Sequence, residues 1–264
     1  MLTSLQNPLI KQFRKLHKPK ERNEQDLFLL EGTHLIAEST QVNYPLITVC
    51  CTQEWVDHNY KLWTKINFNC PRVEIVSPEV LKSIATTVQP DGIIAIAQRT
   101  GINRGILPIK NLGLVLETIQ DPGNLGTIIR TAVATHTEGL YLSADTTDIH
   151  NPKVLRSSVG QWFNLPMSVN KDLPTIIKTH QDQGMQIVAT VPTAKLTFWD
   201  VDLTVPTLIL LGNEGGGLSE ELTSLTDLQV NIPLNPQVES LNVAIASALI
   251  LYEVQRQRRK IDNL

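Results

Sequence analysis

Three stretches in the second half of the chain combine reactive side chains with backbone that can come close to a ligand. They are Asp121-Pro-Gly-Asn124-Leu-Gly-Thr-Ile-Ile-Arg130, Gly212-Asn-Glu-Gly-Gly-Gly-Leu218 and Ser240-Leu-Asn242. In the first, a carboxamide at Asn124 precedes a guanidinium at Arg130, and a guanidinium held near a strand end can grip a phosphate bidentately. In the second, glycines at 212, 215, 216 and 217 let main chain pass close to a ligand, and Glu214 adds a carboxylate that a plain turn does not need. In the third, a hydroxyl and an amide two residues apart open a helix. Each stretch also has a purely structural reading. Asn124 and Ser240 suit helix N-caps, with Asn242 in the first turn of its helix. Arg130 suits an exposed helix face, and the glycines suit a Rossmann-type or simple connecting loop. The glycine spacing is not G-x-G-x-x-G and no Lys-Ser/Thr follows, which excludes the P-loop and weakens a dinucleotide reading.

The pattern around these stretches supplies elements to position them. Strand Leu114–Glu117 leads into a helix from about Leu125, strand Leu140–Ser143 into helix Pro152–Phe163, and strand Met167–Val169 into helix Leu173–Gln183. Strands Ile187–Thr190 and Thr207–Leu211, helix Ser219–Leu225, strand Val230–Leu234 and a long final helix complete the series. Such alternation implies a parallel sheet covered on both faces, with ligands at its carboxyl edge. The first hundred residues alternate in the same way. Helices are expected at Asn7–Leu16, Thr33–Ser39, Trp55–Lys65 and Pro78–Ala85, and strands at Leu27–Leu30, Leu46–Thr52, Val73–Val76 and Ile93–Gln98. Residues 99–110 read as a linker, so the expected division is a smaller domain at 1–98 and a larger one at 111–264.

Bulk properties narrow the partners. The 264 residues are 42% hydrophobic and 19% charged, without an apolar run of membrane-spanning length or signal-peptide regions at the start. Cys50, Cys51 and Cys70 form no Cys-x-x-Cys pair, so reduced thiols in a cytoplasmic protein are expected, with neither zinc site nor disulfide framework. Six scattered histidines give no support to metal chemistry. The net charge of −3 hides a basic run, Lys11, Arg14, Lys15, Lys18, Lys20 and Arg22 against Glu21, and a second cluster at Arg256, Arg258, Arg259 and Lys260. Basic patches of this kind can track phosphates, although a solvated helix face has the same composition.

Taken together, these stretches resemble the SpoU/TrmH family of RNA 2′-O-ribose methyltransferases, within the SPOUT superfamily. Asn124-x-Gly126-x-x-x-Arg130, Gly212-Asn-Glu214-Gly-x-Gly-Leu218, and Ser240-Leu-Asn242 followed by Leu251-Tyr-Glu253 match the family's three motifs in order. Asn151-Pro-Lys153-x-x-Arg156-x-Ser158-x-Gly160 matches a further segment. The basic start with Phe28-Leu-Leu-Glu31-Gly32 is similar to the family's L30e-like RNA-binding domain. Pro236 stands where many members carry glycine, and Thr135-His136 replaces a commoner aromatic-glycine pair.

The resemblance implies an α/β Rossmann-like sheet whose C-terminal part forms a deep trefoil knot, a rare exception to ordinary chain topology. It implies S-adenosylmethionine bound by Thr190, Gly212, Asn213, Glu214, Gly215, Ile232, Leu234, Ser240 and Leu241, and no metal. It implies a homodimer in which Arg130 reaches the partner's site, with Asn124, Glu214, Ser240 and Asn242 completing the catalytic set. Lys11, Arg14, Lys18, Lys20, Arg22, Lys153 and Arg156 are the expected RNA-binding residues. Ribosomal RNA of the 23S type is the favoured substrate, transfer RNA the alternative. Two competing readings are a knotted RNA-binding protein without catalysis and a nicotinamide-dependent oxidoreductase built on the glycine loop.

Overall fold

The computed structural model describes residues 1–99, 102–103 and 105–259; Thr100, Gly101 and Arg104 of the expected linker and Lys260 of the C-terminal cluster lie outside them. The chain divides into two compact units, residues 1–100 with 148–163, and residues 101–147 with 164–264.

The first unit opens with α1 (Pro8–Lys15), α2 (Pro19–Gln25), β1 (Leu27–Glu31), α3 (Thr33–Gln41) and β2 (Leu46–Cys51). It continues with α4 (Gln53–His58), α5 (Tyr60–Asn69), β3 (Val73–Ile75), α6 (Pro78–Ile84) and β4 (Ile93–Gln98). Its sheet runs β1-β4-β2-β3, with β4 antiparallel to β1 and β2, and β3 parallel to β2. Asn7 caps α1 by accepting from the Leu9 amide at 2.9 Å, and Leu9, Ile10 and Phe13 turn inward onto Leu29, Val80, Ile84 and Ile96. Among residues 1–98, two elements differ from the sequence reading. The single helix expected over Trp55–Lys65 is broken at Asn59, which has left helical geometry at φ −124° and donates its side-chain amide to the Trp55 carbonyl at 3.0 Å. The run after Lys18, read only as a basic stretch, forms α2, with Pro19 at the helix start where its missing N–H costs nothing. Cys50 and Cys51 are buried free thiols, and burial pushes both up to about 12, which removes them from chemistry at neutral pH.

Residues 148–163, which the sequence division assigns to the larger domain, pack with the first unit instead. Phe28 of β1 meets His150 at 4.7 Å and Trp162 at 5.6 Å between ring centroids. An ion pair reinforces this aromatic core. Arg22, 1% exposed, donates from Nε and Nη2 to Asp148 Oδ2 at 2.9 and 2.7 Å, and from Nη1 to the carbonyls of Leu16 and His17 at 3.0 Å each. Its donors are committed inside the domain, so Arg22 leaves the RNA-binding set that its place in the basic run suggested. Arg156, on the helix Pro152–Ser157, is likewise engaged: Nη1 donates to Thr86 Oγ1 at 2.5 Å and lies 3.5 Å from Glu31 Oε2. Glu31 in turn accepts from the backbone amides of Thr86 and Thr87 at 2.7 and 3.1 Å. Arg156 thus sets its cation beside a buried carboxylate while a third of its side chain stays exposed. Lys11, Lys18, Lys20 and Lys153 are exposed, and Arg14 is half-buried with Nη2 donating to the Leu5 carbonyl.

The second unit carries β5 (Ile102–Asn103), β6 (Leu112–Leu116), α7 (Pro122–Ala134) and β7 (Gly139–Ser143). After α8 (Pro152–Ser157) of the first unit come β8 (Met167–Asn170), α9 (Leu173–Asp182), β9 (Gln186–Thr190) and β10 (Leu196–Thr197). β11 (Thr207–Leu211), α10 (Glu220–Ser224), β12 (Leu228–Asn231) and α11 (Val243–Arg259) complete it. All the pairings are parallel, in the order β10-β12-β9-β11-β6-β7-β8-β5. β6 and β11 are buried along their whole lengths, as strands covered on both faces must be. After β12 the chain returns to lay α11 against α7. The end of α11 is clasped: Gln257 bonds to the Leu203 amide at 2.9 Å and the Val201 carbonyl at 3.1 Å, and Arg258 donates to the carbonyls of Leu203, Asn111 and Val205. His136, at the family's glycine position, holds φ 55°, a left-handed conformation that glycine adopts without cost.

Breaking the Arg22–Asp148 pair from one side leaves a buried charge. Arg22→Met should cost about 3–5 kcal/mol in urea unfolding, against about 1 kcal/mol or less for Lys20→Met on the surface. The pH dependence follows from burial. His150 is held below its ordinary value, chiefly by desolvation, and His180 of the second unit shifts the same way. Their unfolded forms bind protons first, so stability is full above about pH 6.5 and falls as the pH drops below it. His150→Leu should reduce that slope and His180 should account for the rest, measured as unfolding midpoints between pH 7.5 and 5.

Candidate active site

The three motifs converge at the carboxyl edge of the second unit's sheet. Helix α7 begins at Asp121, whose Oδ1 accepts from the amides of Gly123 at 2.6 Å and Asn124 at 3.0 Å. Asp121 is thus the N-cap, and Asn124 lies in the first turn with its side chain free for other work. Leu125, Ile128, Ile129 and Ala132 bury one stripe of α7. At the third motif it is Asn242 that caps: its Oδ1 accepts from the amides of Ala244 at 2.9 Å and Ile245 at 3.4 Å, leaving Ser240 ahead of the helix rather than at its cap.

These placements join the motifs through side chains. Asn242 Nδ2 donates to Asn124 Oδ1 at 2.9 Å, and Asn124 Nδ2 donates to Glu214 Oε1 at 3.0 Å. The amide orientations are fixed from both ends. Asn242 must present its oxygen to the helix, so its nitrogen faces Asn124; Asn124 must then turn its nitrogen toward Glu214, which accepts as a carboxylate. Burial raises the Glu214 pKa, but the Asn124 side chain and the amides of Glu214, Gln120 and Asp121 outweigh it, and the net shift is downward. Glu214 is ionised at neutral pH.

The glycine loop folds on its own frame. Asn213 Oδ1 accepts from the amides of Gly215 and Gly216 at 2.8 and 2.9 Å, and Nδ2 donates to the Thr118 carbonyl at 2.8 Å. Asn213 and Gly217 pair their backbones at 2.9 and 3.0 Å. A Cβ on Gly212 would lie 2.1 Å from the Gly217 carbonyl carbon, so no side chain fits there, and Gly217 itself has φ +69°. Thr118 holds φ 58°, unusual for a β-branched residue, with its amide donating to Ser143 Oγ and its hydroxyl to Asp145 Oδ2, both at 2.7 Å.

The loop walls a cavity of about 350 Å³, within the range of small-molecule sites. Thr190, Gly212, Asn213, Glu214, Gly215, Ile232, Leu234, Ser240 and Leu241, the expected cofactor residues, all line it. The sequence reading missed Asn231, Glu239 and Val243, which also line it. In the sequence reading Asn231 was only an interior residue of strand Val230–Leu234, and Val243 only a continuation of the helix opened by Ser240. The lining offers main-chain groups at the strand ends, small glycines and two carboxylates, Glu214 and Glu239, which suits a nucleoside with a charged tail.

Arg130 is exposed on α7 and is not part of the cavity wall. It does not join Asn124, Glu214, Ser240 and Asn242 within one chain. Beside Asn124, an open groove runs between α7 and α11, lined by Thr127, Thr131, Ile245, Leu249 and Tyr252. Ile245, Leu249 and Tyr252 are 52%, 40% and 57% exposed, although the opposite face of α11 is already buried.

Comparison with known proteins places these features in context. Residues 111–252 match the SpoU rRNA Methylase family, and residues 7–95 match the MRM3-like substrate binding domain. The chain is 46% identical to an uncharacterized tRNA/rRNA methyltransferase of Synechocystis sp., over 97% of this chain and 94% of that protein. It is 30% identical to the 23S rRNA (guanosine(2553)-2′-O)-methyltransferase RlmP of Bacillus subtilis, over 96% and 98% of the two chains. A crystal structure of an AdoMet-bound rRNA methyltransferase from Sinorhizobium meliloti superposes with a TM-score of 0.85 at 30% identity, covering 97% of each chain.

Gly212→Ala tests the loop geometry. It should abolish binding of S-adenosylhomocysteine in calorimetry while far-UV circular dichroism stays unchanged. Ala at Gly215, where the nearest atom is a side-chain oxygen 3.5 Å from the added Cβ, should be tolerated.

Proposed function

The chain belongs to the SpoU rRNA Methylase family, and from that premise we propose that it transfers a methyl group from S-adenosylmethionine to a ribose 2′-hydroxyl of ribosomal RNA. The second and third motifs line one cavity at the carboxyl edge of a parallel sheet, and the first is hydrogen-bonded to both through Asn124; this arrangement carries the reading. S-adenosylmethionine fits the donor set, with Gly212, Ile232 and Leu241 offering backbone groups and Thr190 and Leu234 closing the walls. When bound it supplies an already activated methyl group, so the protein's tasks are alignment and removal of one proton.

In this reading the C–S bond breaks as the bond from the ribose oxygen to the methyl carbon forms, and the hydroxyl proton is lost. A free ribose hydroxyl is scarcely ionised at neutral pH. Arg130 grips the phosphate next to the target ribose and favours loss of the proton toward that phosphate. Asn124, Glu214, Ser240 and Asn242 hold the ribose side of the cavity in register.

Exposure of Arg130 away from its own chain's cavity supports a homodimer in which it serves the partner's site. The apolar α7–α11 groove is the face we assign to that interface, since its exposed Ile245, Leu249 and Tyr252 have no other role in the chain. The trefoil passage of the C-terminal segment is part of the same proposal, supported by the return of α11 to α7. Lys11, Lys18 and Lys20, the exposed remainder of the N-terminal run, and Lys153 supply phosphate contacts. A cytoplasmic location suits this substrate; among the described residues no helix is long and apolar enough to cross a membrane.

The reading is tested by transfer of labelled methyl into undermodified ribosomal and transfer RNA, with nucleosides mapped afterwards. We expect a 2′-O-methylated nucleoside in the ribosomal pool; incorporation only into transfer RNA would reassign the substrate. Arg130→Ala should lower turnover by at least a hundredfold with the fold intact. Mixing it with a separately inactivated Glu214→Ala chain should restore part of the activity, because one of the two sites in the mixed dimer is then complete. Charge reversal at Lys11, Lys18 and Lys20 should weaken RNA binding and flatten its salt dependence, as loss of phosphate contacts requires.

A further inference from the structure

Helix α5 of the first unit buries little for its length. Of its ten residues, Tyr-Lys-Leu-Trp-Thr-Lys-Ile-Asn-Phe-Asn, only Ile66 is buried. Tyr60 is 64% exposed and Phe68 is 88% exposed. At about 100° per residue, Tyr60, Thr64 and Phe68 fall along one stripe, with Lys61 and Lys65 on its flank, the whole set spanning about 140° of the helix surface. The helix contains no acidic residue. The carboxylate preceding it, Asp57 of α4, already accepts from Gln53 at 2.8 Å. The Tyr60 ring is braced against Trp63, with centroids 5.7 Å apart and planes inclined by 31°, so it presents a fixed surface.

We propose that this outward face of α5 is a stacking platform for unpaired bases of the substrate RNA; the proposal rests on the RNA methyltransferase reading above. Aromatic rings take bases of any identity, each stacked base being worth roughly 1–3 kcal/mol, and flanking cations track the phosphates between them. Tyr60 and Phe68 lie about 12 Å apart along the axis, more than one base step, so each ring takes its own base. Charge complementarity selects RNA over a protein partner: two lysines without a counter-charge on the helix repay little against a neutral apolar surface and much against a phosphate backbone. The platform differs in kind from the Lys11–Lys18–Lys20 group, which carries cations without rings and binds paired and unpaired RNA alike. It lets the first unit choose a loop over a duplex.

The test compares a stem-loop fragment of ribosomal RNA with a blunt duplex of equal length, by fluorescence anisotropy on the full chain at fixed salt. The double variant Tyr60→Ala/Phe68→Ala should lose at least tenfold in affinity for the stem-loop and little for the duplex. Its circular dichroism and S-adenosylhomocysteine affinity should stay at wild-type values. Lys61→Glu/Lys65→Glu should weaken both RNAs and lower the salt slope by roughly one to two. Wild-type stem-loop affinity in the aromatic variant, with ribosomal RNA still methylated by the wild-type chain, would overturn the platform and leave the enzyme reading standing. Failure of the wild-type chain to bind or methylate either RNA would overturn both. A fall in sedimentation mass of the aromatic variant without a change in RNA affinity would reassign the face to a second copy of this chain and overturn the proposal.

Discussion

A single carboxylate sets the arrangement of the site. Glu214 accepts from Asn124, which accepts from Asn242, which accepts from the first turn of α11. Each link fixes the next because an amide has one donating end and one accepting end. Three connections far apart in sequence, after β6, after β11 and before α11, are thereby held in one register. Each hydrogen bond is modest, about 1 kcal/mol in partly exposed surroundings, and the chain does not hold the domain together. The buried strands do that. What the amide chain holds is relative position, to which alignment of a methyl donor and an acceptor oxygen is most sensitive.

The rest of the second unit serves this constraint. A parallel sheet brings the carboxyl ends of β9, β11 and β12 to one edge, so groups near one another in space need not be near in sequence. The closed contact between Gly212 and Gly217 lets the loop fold back tightly enough to leave a cavity beneath it. Thr118, held with φ 58°, aims its carbonyl at Asn213 and so ties that loop to the end of β6. The first unit is built on a different economy. Its aromatic cluster and the buried Arg22–Asp148 pair recruit residues 148–163, a segment the chain reaches only after entering the second unit.

Much of this was legible beforehand because the signals were local. Apolar strand runs such as Thr207–Leu211 and the cap-and-proline start of α1 mark elements within a few residues. The cavity-lining residues were legible only through the family resemblance, since Thr190 and Leu234 stand in none of the matched motifs. Long-range partners were not. Nothing near Arg22 distinguishes it from Lys18 or Lys20, yet its partner lies 126 residues away and buries it. Asn124 looked like a helix cap by composition, and only the geometry shows Asp121 capping and Asn124 released toward Glu214. Ser240 and Asn242 exchange roles for the same reason: two capping residues stood close together, and tertiary packing selected one. The break at Asn59 escaped notice because apolar spacing continues across it.

The three motifs act as one coupled unit through Asn124. The most direct measurement is a double-mutant cycle between Glu214→Ala and Asn242→Ser, read on S-adenosylhomocysteine affinity and methyl transfer. The serine keeps an oxygen for the α11 cap and removes the amide donor. Glu214 and Asn242 do not bond to one another, so independent sites would give additive losses, within about 0.5 kcal/mol. The coupled arrangement predicts instead that either single substitution costs nearly as much as both together. Additive losses would contradict it and reduce the amide chain to three separate surface contacts.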